Sequence, residues 1–219
     1  MPRILFTKTG DAVWISHLDL MRLFQRAFKR AGLPLTHTHG YNPRPSVSIA
    51  LPLSVGVESQ CELLDFELDG ECVSCEEITR RLNETLVPGI RIIHTYDKGD
   101  KIKNLSLLQC ALTMEYDAGV PQNAAAQIEE LFHRSSLLVE KKGKNGPVQQ
   151  DIIPMIRSFA LRQTDGHILV LEAVICCQNP TLNPAQMVAA IQENLPQYAP
   201  NFTRCGRLEI YDSQQNQFR

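Results

Sequence analysis

An α+β fold of two βαββαβ halves, each with an antiparallel sheet, is what the residue patterning predicts. Two observations carry this expectation. Over residues 3–96 the apolar periodicity switches in the order strand, helix, strand, strand, helix, strand, and nearly the same order returns over residues 107–211. Between them, residues 98–104 are polar and rich in Lys, Asp and Gly, which reads as a linker. The order is that of the ferredoxin-like arrangement, a four-stranded antiparallel sheet with two helices on one face. The expected domains are therefore 1–98 and 105–219, the second with a Lys-rich loop inserted.

In the first half, residues 3–9 read as a strand with Ile4 and Phe6 on one face. A helix follows. On a 100° wheel Leu20, Met21, Phe24, Ala27, Phe28 and Ala31 form a broad apolar face, and Arg22, Arg26, Lys29 and Arg30 group on the opposite one. Ser16 with Asp19 three residues on resembles a capping box, and Gly32 and Pro34 end the helix. Residues 46–55 alternate as a strand interrupted at Pro52, and Gly56 turns the chain into a strand at 61–68. Residues 71–86 read as a helix carrying Ile78, Leu82 and Leu86, stopped by Pro88-Gly89 before a strand at 90–96.

In the second half, strands are expected at 107–116, 137–141, 168–177 and 204–211. Helices are expected at 124–133 and at 184–195, the latter behind an Asn183 cap. Residues 142–147 read as a flexible basic turn, and 151–161 fit helix or strand equally.

With 219 residues, 43 % hydrophobic and 21 % charged, the chain is long enough for one large or two small cores. No apolar run reaches the ~20 residues of a membrane span, and the N-terminal residues lack a signal-peptide pattern. Seven irregularly spaced cysteines point to reduced thiols, so a cytoplasmic protein is expected. The net charge of −2 hides an asymmetry. Residues 1–50 hold seven Lys/Arg against Asp11 and Asp19, a balance of +5, while residues 51–97 hold three Arg against ten acids, a balance of −7.

The most unusual stretch is Thr36-His-Thr-His-Gly40-Tyr-Asn-Pro-Arg-Pro45. Two prolines around Arg44 make a stiff loop with little conformational freedom to lose. Set beside a basic helix, Tyr41, Asn42 and Arg44 suit phosphate, carboxylate or a stacked base. A tight crossover shaped by Gly40 and the prolines is the plainer alternative.

Recognised catalytic motifs are absent: there is no glycine-rich phosphate loop, Gly-x-Ser-x-Gly or His-Glu-x-x-His. Cys72-Val-Ser-Cys75 lacks the third cysteine of a radical SAM cluster site and the second half of a zinc site, and Glu71, Glu76 and Glu77 disfavour thiolates there. No metal or cofactor is therefore expected. His17, at the start of the basic helix, and His37, in the loop with His39, are the catalytic candidates.

The motifs Arg3…Phe6-x-Lys8, Ile15-Ser-His-Leu-Asp-Leu-x-Arg22, Arg26-x3-Arg30-Ala-Gly-Leu-Pro34, Gly40-Tyr-Asn-Pro-Arg-Pro45 and Ala50-Leu-Pro-Leu-x2-Gly56-x-Glu58 together resemble one family. Glu62-x2-Asp65 and Leu86-x-Pro88-Gly89-Ile90 fit the same pattern. The sequence is similar to the radical-SAM-linked, or radical-SAM-associated, bacterial proteins, densely over residues 1–95 and more thinly beyond. The resemblance implies a partner, a cobalamin-type radical SAM enzyme fused to or encoded beside such proteins.

Together these features predict an RNA-binding accessory protein for tRNA or rRNA, acting with that enzyme in RNA modification or maturation. Lys8, Arg22, Arg26, Arg30, Arg44 and Lys144 would contact phosphates, Asn42 would assist, and Tyr41 would stack. Two alternatives stay open. One is a metal-independent RNA endonuclease with His17 or His37 as base and Lys8 or Arg44 stabilising the transition state. The other is an adaptor that docks on the radical SAM partner and touches no RNA.

Overall fold

Strand β1 (Arg3–Lys8) is paired antiparallel with β4 (Ile90–Tyr96) on one side and β3 (Glu58–Phe66) on the other. A short strand β2 (Val47–Ala50) pairs antiparallel with β3, Val47 opposite Phe66 and Ala50 opposite Leu63. These belong to a computed structural model that describes residues 1–70, 72–143 and 146–219. Among those residues the protein is a mixed α+β molecule with four α-helices and antiparallel strand pairs. The chain forms two units, Met1–Asn104 with Gln217–Arg219, and Leu105–Asn216.

In the first unit, α1 (His17–Arg30) and α2 (Cys75–Asn83) share one apolar core with the sheet. Leu20, Phe24, Ala27 and Phe28 of α1 and Ile78 and Leu82 of α2 join Ile4, Phe6, Leu64 and Phe66 there. Phe6 and Phe24 meet edge to face with centroids 4.8 Å apart, and Phe28 and Phe66 lie 5.0 Å apart. The predicted start of α1 holds in atomic detail. Asp19 N–H donates to Ser16 Oγ at 3.2 Å, and that hydroxyl donates to the Asp19 carboxylate at 2.8 Å. Gly32, at φ +67°, closes the helix in the left-handed conformation that glycine adopts freely.

Two elements are shorter than the patterning suggests. The strand expected at 46–55 stops at Ala50, because Leu51 takes φ +49° and Pro52 supplies no N–H for a ladder. The helix expected from residue 71 begins at Cys75, where Ser74 accepts the Glu77 N–H at 3.3 Å. Glu71 lies outside the described residues.

The second unit runs β5 (Leu105–Glu115), α3 (Ala124–Phe132), β6 (Leu138–Gly143), β7 (Gly146–Asp151), β8 (Ile156–Gln163), β9 (Ile168–Cys176), α4 (Pro184–Asn194) and β10 (Phe202–Asp212). β5 pairs with β9 and β10, and β9 with β8, all antiparallel. The strands β6 and β7 pair antiparallel, Leu138 opposite Asp151 and Lys141 opposite Val148; of the segment expected as a basic turn, residues 144 and 145 lie outside the described residues. The undecided stretch resolves into a single 3-10 turn, Ile153–Met155, followed by β8. Phe132 of α3 packs on Phe159 of β8 at 5.7 Å, and α4 caps itself with the predicted Asn183. The last residues return to the first unit, where Phe218 is 1 % exposed and stacks over the Arg3 guanidinium at 5.2 Å.

Candidate functional site

The basic face of α1 is a surface feature. Arg22, Arg26, Lys29 and Arg30 are all exposed, while Leu23, which the wheel did not assign to the core, is buried behind them. At 3.6 residues per turn the four cations spread over roughly 100° of the helix. Arg22 pairs with Asp19 at 3.0 Å, and Arg30 donates to the Thr85 carbonyl at 2.8 Å, which leans it toward the end of α2. Arg26 and Lys29 form no ion pair among the described residues. The hydrogen bond from Ser16, that from Arg22 and the charges of Arg22 and Arg26 hold the Asp19 carboxyl below its usual range.

The loop after α1 is a small hairpin tied by backbone bonds. Thr38 N–H donates to Arg44 O at 2.8 Å and Ser46 N–H to Thr36 O at 2.8 Å, with His37 opposite Pro45. The Arg44 N–H also donates to Thr38 Oγ1 at 3.0 Å. Its tip, residues 39–44, is exposed throughout, and Tyr41 is the most exposed large hydrophobic among the described residues, at 109 % of its reference area. Asn42 sits beside it, and the Arg44 guanidinium has no hydrogen-bond partner among the described residues.

Helix and hairpin meet at a cleft of about 410 Å³. Buried Phe28 and Leu33 form its floor, Pro34 and Pro45 flank it, and Gln25, Lys29 and His37 are its polar members. Among the described residues no Asp or Glu lines it. Gln25 and the cleft itself carried no sequence signal, because the Pro45 side of the wall depends on how the hairpin folds back.

Lys8 does not belong to this surface. It is 1 % exposed and donates from Nζ to the Val13 carbonyl at 2.9 Å, pinning the 3-10 turn Gly10–Trp14. Burial lowers its pKa, and the charge of the equally buried Glu62 opposes that shift. A strand-end lysine turned inward is therefore withdrawn from the expected phosphate contacts. Lys144 lies outside the described residues. The β3 carboxylate Asp65 is engaged within the sheet. It forks with Arg3, at 2.6 Å to Nε and 2.9 Å to Nη2, an ion pair across 62 residues of sequence.

His17 is half-buried at the first position of α1, and His37 is exposed at the cleft. Among the described residues no group of three or more His, Cys, Asp or Glu is placed to hold a metal ion. Cys75 donates to Asp97 at 3.1 Å; burial first, then that carboxylate, push its thiol up to about 11. That leaves little nucleophilic thiolate at neutral pH. No described helix is long and apolar enough to cross a membrane.

The arrangement is thus an α+β protein presenting a cationic helix face and a rigid Pro-framed hairpin around an apolar cleft. The chain belongs to the bacterial family described as "Uncharacterized protein conserved in bacteria (DUF2344)", which it matches over residues 2–197. No curated protein matches it. Among solved structures, it is similar to a chain in the crystal structure of a Cbf5-Nop10-Gar1 complex, with a TM-score of 0.53 and 8 % identity. That match covers 95 % of this chain and 48 % of the other, so this chain spans about half the length of its structural neighbour. A crystal structure of an unknown protein from Galdieria sulphuraria matches over 94 % of this chain and 96 % of its own, at 8 % identity and a TM-score of 0.27. The first likeness concerns the fold alone, and the second is too low to carry an argument.

Proposed function

We propose that this protein is an RNA-binding accessory factor, for tRNA or rRNA, that serves a radical SAM enzyme in RNA modification or maturation. The observation that carries the RNA part is the surface where Arg26, Lys29 and Arg44 stand exposed without ion partners beside the fully exposed Tyr41. Exposed cations not neutralised by carboxylates suit phosphates, and an exposed aromatic at a stiff tip suits base stacking. Arg22 and Arg30 extend the stripe, with contacts that leave them at the surface. The radical SAM partner rests on the sequence resemblance described above. A cytoplasmic setting agrees with seven cysteines of which none is disulfide-bonded among the described residues.

Each half is read as ferredoxin-like. In support, β1 is flanked by β4 and β3 with β2 beyond β3, and β5 is flanked by β10 and β9 with β8 beyond β9. The β6–β7 hairpin is then an insertion between the helix and second strand of the second half.

The test is binding of purified protein to total cellular tRNA at roughly 50 and 200 mM salt, beside Arg22→Glu/Arg44→Glu. The proposal predicts micromolar or tighter binding that weakens steeply with salt and vanishes in the double variant. Absence of binding at the lower salt, or a variant that binds like wild type, rejects it.

A further inference from the structure

We infer that the cleft between α1 and the hairpin accepts one unstacked nucleobase, making single-stranded RNA the preferred ligand over duplex. The inference rests on the RNA-binding reading and narrows its substrate class. Its basis is the composition of the cleft. At about 410 Å³ it falls within the range of small-molecule sites, and like them it is mostly apolar with a few convergent polar groups. Buried Phe28 and Leu33 and the side chains of Pro34 and Pro45 supply apolar lining against which the face of a base can lie.

The polar groups divide by task. Gln25 carries both an amide donor and a carbonyl acceptor, the pair needed to read a base edge. Lys29 is an exposed cation at the same cleft, next to Arg26 on the helix surface, and suits the phosphate of that nucleotide. His37, also exposed, adds a ring nitrogen on the hairpin side. Among the described residues the lining contains no carboxylate to repel an anionic ligand. A base locked in a duplex stack cannot enter such a cleft; one in a loop or single strand enters without breaking pairs.

The experiment compares a single-stranded RNA oligonucleotide with the same strand annealed to its complement, using wild type and Gln25→Trp. Gln25 is a half-buried helix position at the cleft, so the larger ring occupies the space a base would take; a matching thermal melt checks that the variant is folded. The expected result is a preference of about ten-fold or more for the single strand, as one stacked base provides. In Gln25→Trp that preference disappears and duplex binding stays unchanged. Equal binding of both RNAs by wild type, or an undiminished preference in Gln25→Trp, overturns the inference while leaving the RNA-binding reading standing. Binding of neither RNA removes both.

Discussion

Asp65→Ala is expected to destabilise the first unit by about 3–5 kcal/mol, the range for stripping one partner from a buried ion pair. The Arg3 side chain is only 3 % exposed and Asp65 17 %, so little solvent screens the charge left behind. Arginine cannot shed its proton to escape, and its guanidinium is fixed by two forked bonds to the carboxylate and by the Phe218 ring. Asp65→Asn, which keeps one acceptor, should lose clearly less. The double replacement Arg3→Met/Asp65→Leu should recover most of the loss, since it removes the orphaned charge with the pair. Denaturant titration is the check: the midpoint falls in Asp65→Ala with an unchanged slope. A loss below about 1 kcal/mol would mean the pair behaves as a surface one.

Gly89→Ala is the second large effect, for reasons of backbone rather than charge. Gly89 takes φ +86°, and its carbonyl receives the Thr9 N–H at 2.8 Å, joining the loop before β4 to the end of β1. A Cβ there would collide with the Thr9 carbonyl oxygen and sit 2.8 Å from Ala12 Cβ. The left-handed backbone costs a non-glycine residue about 1–2 kcal/mol, and the overpacking adds about 1–3 kcal/mol. The expected loss is therefore roughly 2–5 kcal/mol. Gly32→Ala separates the two causes: φ is +67° and no atom lies within 4 Å of the added Cβ, so only the backbone component should appear. Thermal melts that show the two variants equally destabilised would argue against a steric role for Thr9.

What the sequence made legible was local. The Ser16 cap, the apolar stripe of α1 and the stop at Gly32 all depend on neighbours within a few residues, and all stand in the structure. The true start of α2 was equally readable: Ser74-Cys-Glu-Glu77 is a capping signature that outweighs the acidic run before it. The inward turn of Lys8 was not readable, because it depends on the 3-10 turn folding its Val13 carbonyl back over the strand. Nor was the Arg3–Asp65 pair, which needs the β1–β3 register in which those two residues face each other. The cleft is illegible for the same reason: Gln25 and Pro45 become neighbours only once the hairpin has closed. In the second unit β7 was not legible as a strand, because Pro147 and Val148 are the apolar side chains of Gly146–Asp151 and give no period-2 pattern.

The central claim is that the α1 face and hairpin hold RNA through phosphates. It is tested most directly by the slope of log affinity against log salt for an RNA that wild type binds, measured for Arg26→Ala, Lys29→Ala and Arg44→Ala. Arg80→Ala serves as the control, since that exposed arginine of α2 is already engaged by Glu77 and Glu84. The account predicts that each of the three flattens the slope by about one unit and weakens binding similarly for RNAs of different sequence. Arg80→Ala should leave slope and affinity unchanged. Slopes unaltered by all three replacements, or lowered equally by Arg80→Ala, would contradict it and move the interface off this surface.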